Sequence, residues 1–167
     1  MKPAIALLII AAYLFYRLYY ARPDFPPLPT DPDDPLLKEA RDKARESLPQ
    51  MLDLYKSFPE QSLVKIKFIS NSDQVEYLWG ELKEVQGNKA KVFLVTPPVS
   101  HSGKLDRNME VDIDKFEDWQ ITDTEGNKYG GYSQRAMFKI ARQKYGKLPR
   151  KLAKVETLYK AESRRET

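Results

Sequence analysis

Cysteine is absent from the 167 residues, which excludes disulfides, thiolate metal sites and a thiol nucleophile together. The same absence removes the lipidated cysteine that anchors a bacterial lipoprotein, so any membrane attachment has to be made of polypeptide. Histidine occurs once, as His101 between Ser100 and Ser102. Adjacent loop residues do not build a triad and no G-x-S-x-G elbow occurs, so His101 reads as an exposed loop residue. Asp112 and Asp114 share one strand face, but Glu110 merely extends the alternation, which is the pattern of a solvated face rather than a cation site. No catalytic residue, no cofactor and no metal site is expected.

What the chain does have is an apolar start. Ala4 to Tyr16 runs AIALLIIAAYLFY after Met1, Lys2 and Pro3, with Ala4, Leu7, Leu8, Ile9, Ile10, Leu14 and Phe15 as its body. A membrane-crossing helix needs about 20 mostly apolar residues. Leu18 to Ala21 complete that span if Arg17 snorkels, and Tyr13, Tyr16, Tyr19 and Tyr20 supply interfacial aromatics. Residues 1–21 therefore read as an N-terminal membrane anchor. A cleaved secretory signal would need small residues at its end, where this chain has aromatic and basic ones; a buried helix of a soluble protein is the third reading. Lys2 and the amino terminus on one side balance Arg17 and Arg22 on the other, so the charge rule for orientation ties.

Residues 22–35 (RPDFPPLPTDPDDP) hold six of the twelve prolines, and fixed φ with missing N–H groups makes such a stretch an extended spacer. The net charge of +4 is unevenly placed: from Lys139 to Thr167 ten Lys or Arg face three Glu. Residues 147–167 carry Leu152, Val155 and Tyr159 at helical spacing among those bases, the signature of a basic amphipathic tail. Such a tail could lie on anionic lipid, or be a plain solvated helix that docks on the domain. Nucleic acid is not favoured, because no aromatic-interleaved motif accompanies the charge.

Between spacer and tail the periodicity changes twice. Asp33 or Asp34 caps a helix with Pro35 in its first turn, and Leu36, Leu37, Ala40, Ala44 and Leu48 recur at helical spacing until Pro49 interrupts them. Met51, Leu52, Leu54 and Tyr55 continue a short second helix or turn. From Leu63 the period is two: Val64, Ile66 and Phe68 alternate with Lys65, Lys67 and Ile69, and a turn at Asn71 to Asp73 leads to Val75, Tyr77 and Trp79. Gly80 suggests a bulge, Gly87-Asn88 a turn, and Lys91 to Val95 a doubly buried strand closed by Pro97-Pro98. After a polar loop, Met109, Val111 and Ile113 alternate with acids as a fourth strand, and Trp119 and Ile121 suggest a fifth. Ser133 then caps a helix with Met137, Ile140, Ala141 and Tyr145 as its stripe, ended by Gly146. The expected fold is α+β: an antiparallel meander of about five strands flanked by an N-terminal and a C-terminal helix and preceded by one transmembrane helix.

Ser47-Leu48-Pro49, Val64-Lys65-Ile66, Glu76-Tyr77-Leu78-Trp79, Asp118-Trp119 and Gly130-Gly131-Tyr132-Ser133-x-Arg135, in that order and spacing, make residues 36–146 resemble the bacterial domain-of-unknown-function family numbered 2314, the YegJ-like proteins. The resemblance implies a domain boundary and carries no established activity. Anchor, spacer and tail lie outside it.

Within this domain the glycine pair before a helix start is the candidate ligand site. Gly130 and Gly131 permit positive φ and close backbone approach, so the corner could hold an anion, with Ser133 beside it and Arg135 pairing a phosphate or carboxylate. The alternative is that the glycines only turn the chain, Tyr132 packs and Arg135 pairs with Asp118 or another acid. Trp79, Trp119 and Tyr132 could line a pocket, although strand alternation places Trp79 with Val75 and Tyr77 on one face and favours the core for it. The expected function is a non-enzymatic, membrane-anchored binding module of the bacterial envelope, single-pass in the inner membrane with its domain in the periplasm. Its expected partner is a protein or a small anionic ligand. An immunity protein against a periplasm-targeted toxin is one alternative, and an enzyme with its site near the Gly-Gly-Tyr-Ser-x-Arg corner is another.

Overall fold

The computed structural model describes residues 31 and 33–160. Asp34 accepts the Leu36 amide at 2.8 Å and Pro35 occupies the first turn, so α1 (Pro35–Glu46) starts where the sequence places it. Its buried residues, Ala40 and Ala44, are small and one turn apart, which lets the helix lie close on what it covers. Ser47 closes α1 by donating its hydroxyl to the Lys43 carbonyl at 2.7 Å. Pro49 then sits in the first turn of α2 (Leu48–Ser57), the position where a missing N–H costs nothing.

The strands are β1 (Ser62–Ile69), β2 (Val75–Gln86), β3 (Lys89–Leu94), β4 (Asn108–Asp112), β5 (Phe116–Thr122) and β6 (Lys128–Gly130). They form one antiparallel sheet in the order β4-β3-β2-β1-β5-β6, followed by α3 (Tyr132–Tyr145) and α4 (Arg150–Glu156). The expected meander holds from β1 to β4 and then breaks, because β5 returns to the far side of β1. A flat sheet would put β4 and β5, four positions apart, about 19 Å from each other. Only Ile113–Lys115 join them, and four Cα–Cα steps reach about 14 Å at most. The sheet is therefore coiled, and register shifts in β2 at Leu82/Glu84 and opposite Lys65/Ile66 in β5 are where it bends.

Val64, Ile66 and Phe68 of β1, Leu78 and Leu82 of β2, Val92 and Leu94 of β3 and Phe116, Trp119 and Ile121 of β5 fill the inner face, closed by Ala40, Ala44 and Met51 from the helices. Four expectations change. A sixth strand, β6, follows the turn at 123–127. β3 is buried on one face only: Ala90, Val92 and Leu94 point in, while Lys91 stands in solvent and Phe93 lies under Arg107. Trp79 does share a face with Val75 and Tyr77, but it is the outer face, since Leu78 and Leu82 are the residues that enter the core. His101 is half-buried rather than exposed, its ring edge-on to Phe68 at 5.8 Å. The proposed anchor at residues 1–21 and most of the spacer lie outside the described residues; among the described residues no helix is long and apolar enough to cross a membrane.

Candidate functional site

Asp118, Trp119, Gly130, Gly131, Tyr132 and Ser133, scattered over the sequence, meet at one buried knot. The bulge in β5 turns Asp118 to the same side as Lys65, while Trp119 pairs with Val64 and points inward. Trp119 is fully buried and its indole N–H donates to the Ala44 carbonyl at 3.2 Å and Ser47 Oγ at 3.0 Å, which fastens the end of α1 to the sheet. Its carbonyl accepts the Gly131 amide at 2.6 Å. A Cβ on Gly130 would stand 2.3 Å from that carbonyl oxygen, so glycine is required there by close approach.

The helix start works differently from the expectation that Ser133 caps it. The N-cap is Gly131 at φ +62°, which has no side chain to accept the first amides. Asp118 supplies the acceptor from the neighbouring strand: it takes the amides of Tyr132 at 3.1 Å and Ser133 at 2.7 Å, the Ser133 hydroxyl at 2.6 Å and the Trp119 amide at 2.8 Å. Burial pushes the Asp118 carboxyl above the ordinary aspartate range and the four donors pull against that push. The geometry serves the carboxylate, because a proton on either oxygen would face a donor. The amides at this corner are thus taken by the protein's own Asp118.

Lys65 lies beside this knot, with Nζ donating to Ser133 Oγ at 3.3 Å and standing 5.8 Å from the Trp79 ring centroid. Burial lowers its pKa, and the negative charge of Asp118 resists the shift. A serine next to a desolvated lysine invites comparison with Ser–Lys nucleophile pairs. Here Ser133 is buried, gives its proton to Asp118 and accepts from Lys65 at once, so the group is a satisfied cap and not a poised nucleophile.

Arg135 does not pair with Asp118, whose oxygens go to the start of α3. Its guanidinium lies 5.7 Å from the Tyr132 ring centroid, above a hollow of about 80 Å³ between α1 and α3 lined by Leu36, Glu39, Lys43 and Lys139. That volume is well below the few hundred Å³ of small-molecule pockets. Asp112 pairs with Lys89 at 2.7 Å; among the described residues no group of acids and histidine is arranged to hold a metal ion.

The surface best suited to contact is one the sequence reading assigned to the core. Register pairs Lys65 with Trp79, Lys67 with Tyr77 and Ile69 with Val75 across β1 and β2, all on the outer face. Val95 joins them, its amide donating to the Trp79 carbonyl at 3.0 Å. Ile69 is 60% exposed, Val75 47%, Val95 37% and Tyr77 36%. These are four of the seven large exposed hydrophobics among the described residues, three of them on the β1/β2 pair and Val95 just past β3, beside Lys67. The signal was present: lysines on one face of β1 oppose aromatics on β2 once the turn at 71–73 sets the register.

A six-stranded antiparallel sheet with four helices, and a buried knot in which a strand carboxylate caps α3, define an α+β domain. The chain belongs to the DUF2314 family, described as an uncharacterized protein conserved in bacteria, whose model matches residues 34–147. Comparison with curated proteins and with solved structures finds no match.

Proposed function

We propose that this protein is a non-enzymatic binding module of the bacterial envelope, tethered to the inner membrane by residues 1–21, held off it by the proline-rich residues 22–35, and engaging a protein partner in the periplasm through the outer face of β1 and β2. The observation that carries the reading is the exposed row of Ile69, Val75, Tyr77 and Val95. A contiguous apolar patch rimmed by charge is the usual mark of an interaction surface, and tyrosine and tryptophan are the side chains that most often anchor one. Lys67, exposed in the same face, selects a partner surface that is apolar at its centre and acidic at its rim. The catalytic alternative has less support, since Asp118 occupies the amides that start α3 and the Ser133 hydroxyl.

Two measurements on the full-length chain in living bacteria test this. A phosphatase active only in the periplasm, fused after Thr167, is expected to be active, and inactive when residues 1–21 are removed. A photo-crosslinking residue at Tyr77 or Ile69 is expected to capture one partner that the same residue at Asp42, on the exposed side of α1, does not, and Lys67→Glu is expected to abolish capture. Fusion activity only in the cytoplasm would overturn the address, and equal capture from Tyr77 and Asp42 would overturn the surface.

A further inference from the structure

Residues 150–160 do not stand apart as a free basic tail. The turn that ends α4 brings Tyr159 alongside Lys128 of β6 as a single parallel bridge: the Lys128 amide donates to the Leu158 carbonyl at 2.8 Å and the Lys160 amide to the Lys128 carbonyl at 2.9 Å. Between them the Tyr159 ring seats on Gly131, where a Cβ would stand 2.4 Å from its Cε1. The ring meets Phe138 edge-on at 6.0 Å, and its hydroxyl donates to Gln120 Oε1 at 2.6 Å.

This is the anatomy of peptide recognition by strand addition, in which main-chain bonds supply affinity and one side-chain recess supplies selectivity. The recess is made by Gly131, Phe138 and Gln120, all inside the family-matched region 34–147, whereas the residue that fills it lies beyond that region. Little else holds the filler in place. α4 has no buried residue and Leu152 and Leu158 remain exposed; its tie to α3 is a two-pronged ion pair between Arg142 and Glu156. The segment therefore meets the rest of the domain through one ring, two backbone bonds and one ion pair, few enough contacts to place it toward the low-stability end of the structure.

We propose that the β6 edge and the Gly131 recess form a docking site for an extended, tyrosine-bearing segment of a partner protein, and that Leu158-Tyr159-Lys160 occupies this site in cis. The backbone bonds at Lys128 accept any extended segment without a proline at the paired positions. The recess takes a flat ring because glycine leaves room for nothing branched beneath it, and Gln120 selects the phenol over phenylalanine. The short connector from Gly146 to Pro149 keeps the internal segment at high local concentration, so a partner gains the site only when its own segment is presented close by, as on a shared membrane.

The test uses the full-length Tyr159→Ala chain and a synthetic peptide of residues 154–162 as the probe, with binding read by calorimetry and by the Lys128 amide resonance. Saturable binding is expected, at least tenfold tighter than to the wild-type chain. Changing the peptide's tyrosine to phenylalanine is expected to weaken it about fivefold, the worth of one neutral hydrogen bond, and changing it to alanine to abolish it. Should Tyr159→Ala unfold, the wild-type chain cut at a protease site introduced between Gly146 and Pro149 serves instead, and excess peptide is expected to displace the severed tail. Equal binding of tyrosine and alanine peptides, or none by either, would overturn the proposal. A wild-type dimer that becomes monomeric on Tyr159→Ala would assign the site to a second copy and overturn the partner as its occupant.

Discussion

Replacing Asp118 by alanine withdraws one carboxylate from four donors at once: the amides of Trp119, Tyr132 and Ser133 and the Ser133 hydroxyl. A buried donor left without an acceptor costs about 1–3 kcal/mol. The hydroxyl can rotate toward another acceptor, which leaves three amides that cannot. Counting about 1 kcal/mol for each, with about 0.5 kcal/mol more for the lost negative charge at the N-terminus of α3, gives about 3.5 kcal/mol. Relief of the burial cost that raises the Asp118 pKa brings the expected loss to about 3 kcal/mol. Asp118→Asn keeps one oxygen and presents its amino group to the remaining donors, for an expected loss of about 2 kcal/mol; Ser133→Ala leaves all three amides satisfied and is expected to cost about 1 kcal/mol. Urea unfolding of the full-length chain in detergent, followed by near-ultraviolet circular dichroism, measures all three. Amide exchange at Tyr132 and Ser133 should accelerate in the same order. A loss below about 1 kcal/mol for Asp118→Ala would refute the assignment of this carboxylate as the cap of α3.

Gly131→Ala should cost about 2 kcal/mol, because alanine at φ +62° is strained and its Cβ would displace the Tyr159 ring; faster exchange of the Lys160 amide is the specific readout. Burial raises Tyr159 from the ordinary 10.0 to about 12. A raised folded pKa makes the tail's contribution complete below pH 10 and lost as pH climbs through about 12, so phenolate absorbance and release of the tail should rise together in that window. Glu76 accepts the Ser100 hydroxyl and the amides of Ser100 and Val99, which hold its carboxyl below the ordinary 4.5. A depressed folded pKa has the opposite sign: the tie between β2 and the loop after β3 is complete above pH 4.5 and weakens as pH falls through the lower value, seen as a shift of the Ser100 amide resonance. A Ser100 amide unchanged on acidification would show that Glu76 does not hold the loop.

Particular residues show why some of this was legible. Asp34, Pro35 and Pro49 act within one turn of themselves, so the start of α1 and its break from α2 could be read directly. The alternation of Val64, Ile66 and Phe68 with lysines marked which face of β1 is dry. β6 was missed because three residues ending in glycine carry no period. Phe138, buried in α3, was missed because the stripe read as Met137, Ile140, Ala141 and Tyr145 runs one position away from it. For Trp79 the facing was right in its grouping and wrong in its direction: alternation tells which residues share a face, and only the partner strands tell which face is covered.

The sequence by itself determined the local events, the start of α1, the turns, the dry and wet sides of β1 and β4, and the family to which residues 34–147 belong, because each depends on neighbours a few positions apart. Tertiary structure alone decided that β5 crosses to β1, that the sheet coils to allow it, and that a bulge swings Asp118 onto the first turn of a helix beginning 14 residues later. It also decided that the glycine corner is filled from within, by Asp118 on one side and Tyr159 on the other. These outcomes depend on register and closure between distant segments, and a one-residue slip in either would reverse every facing involved.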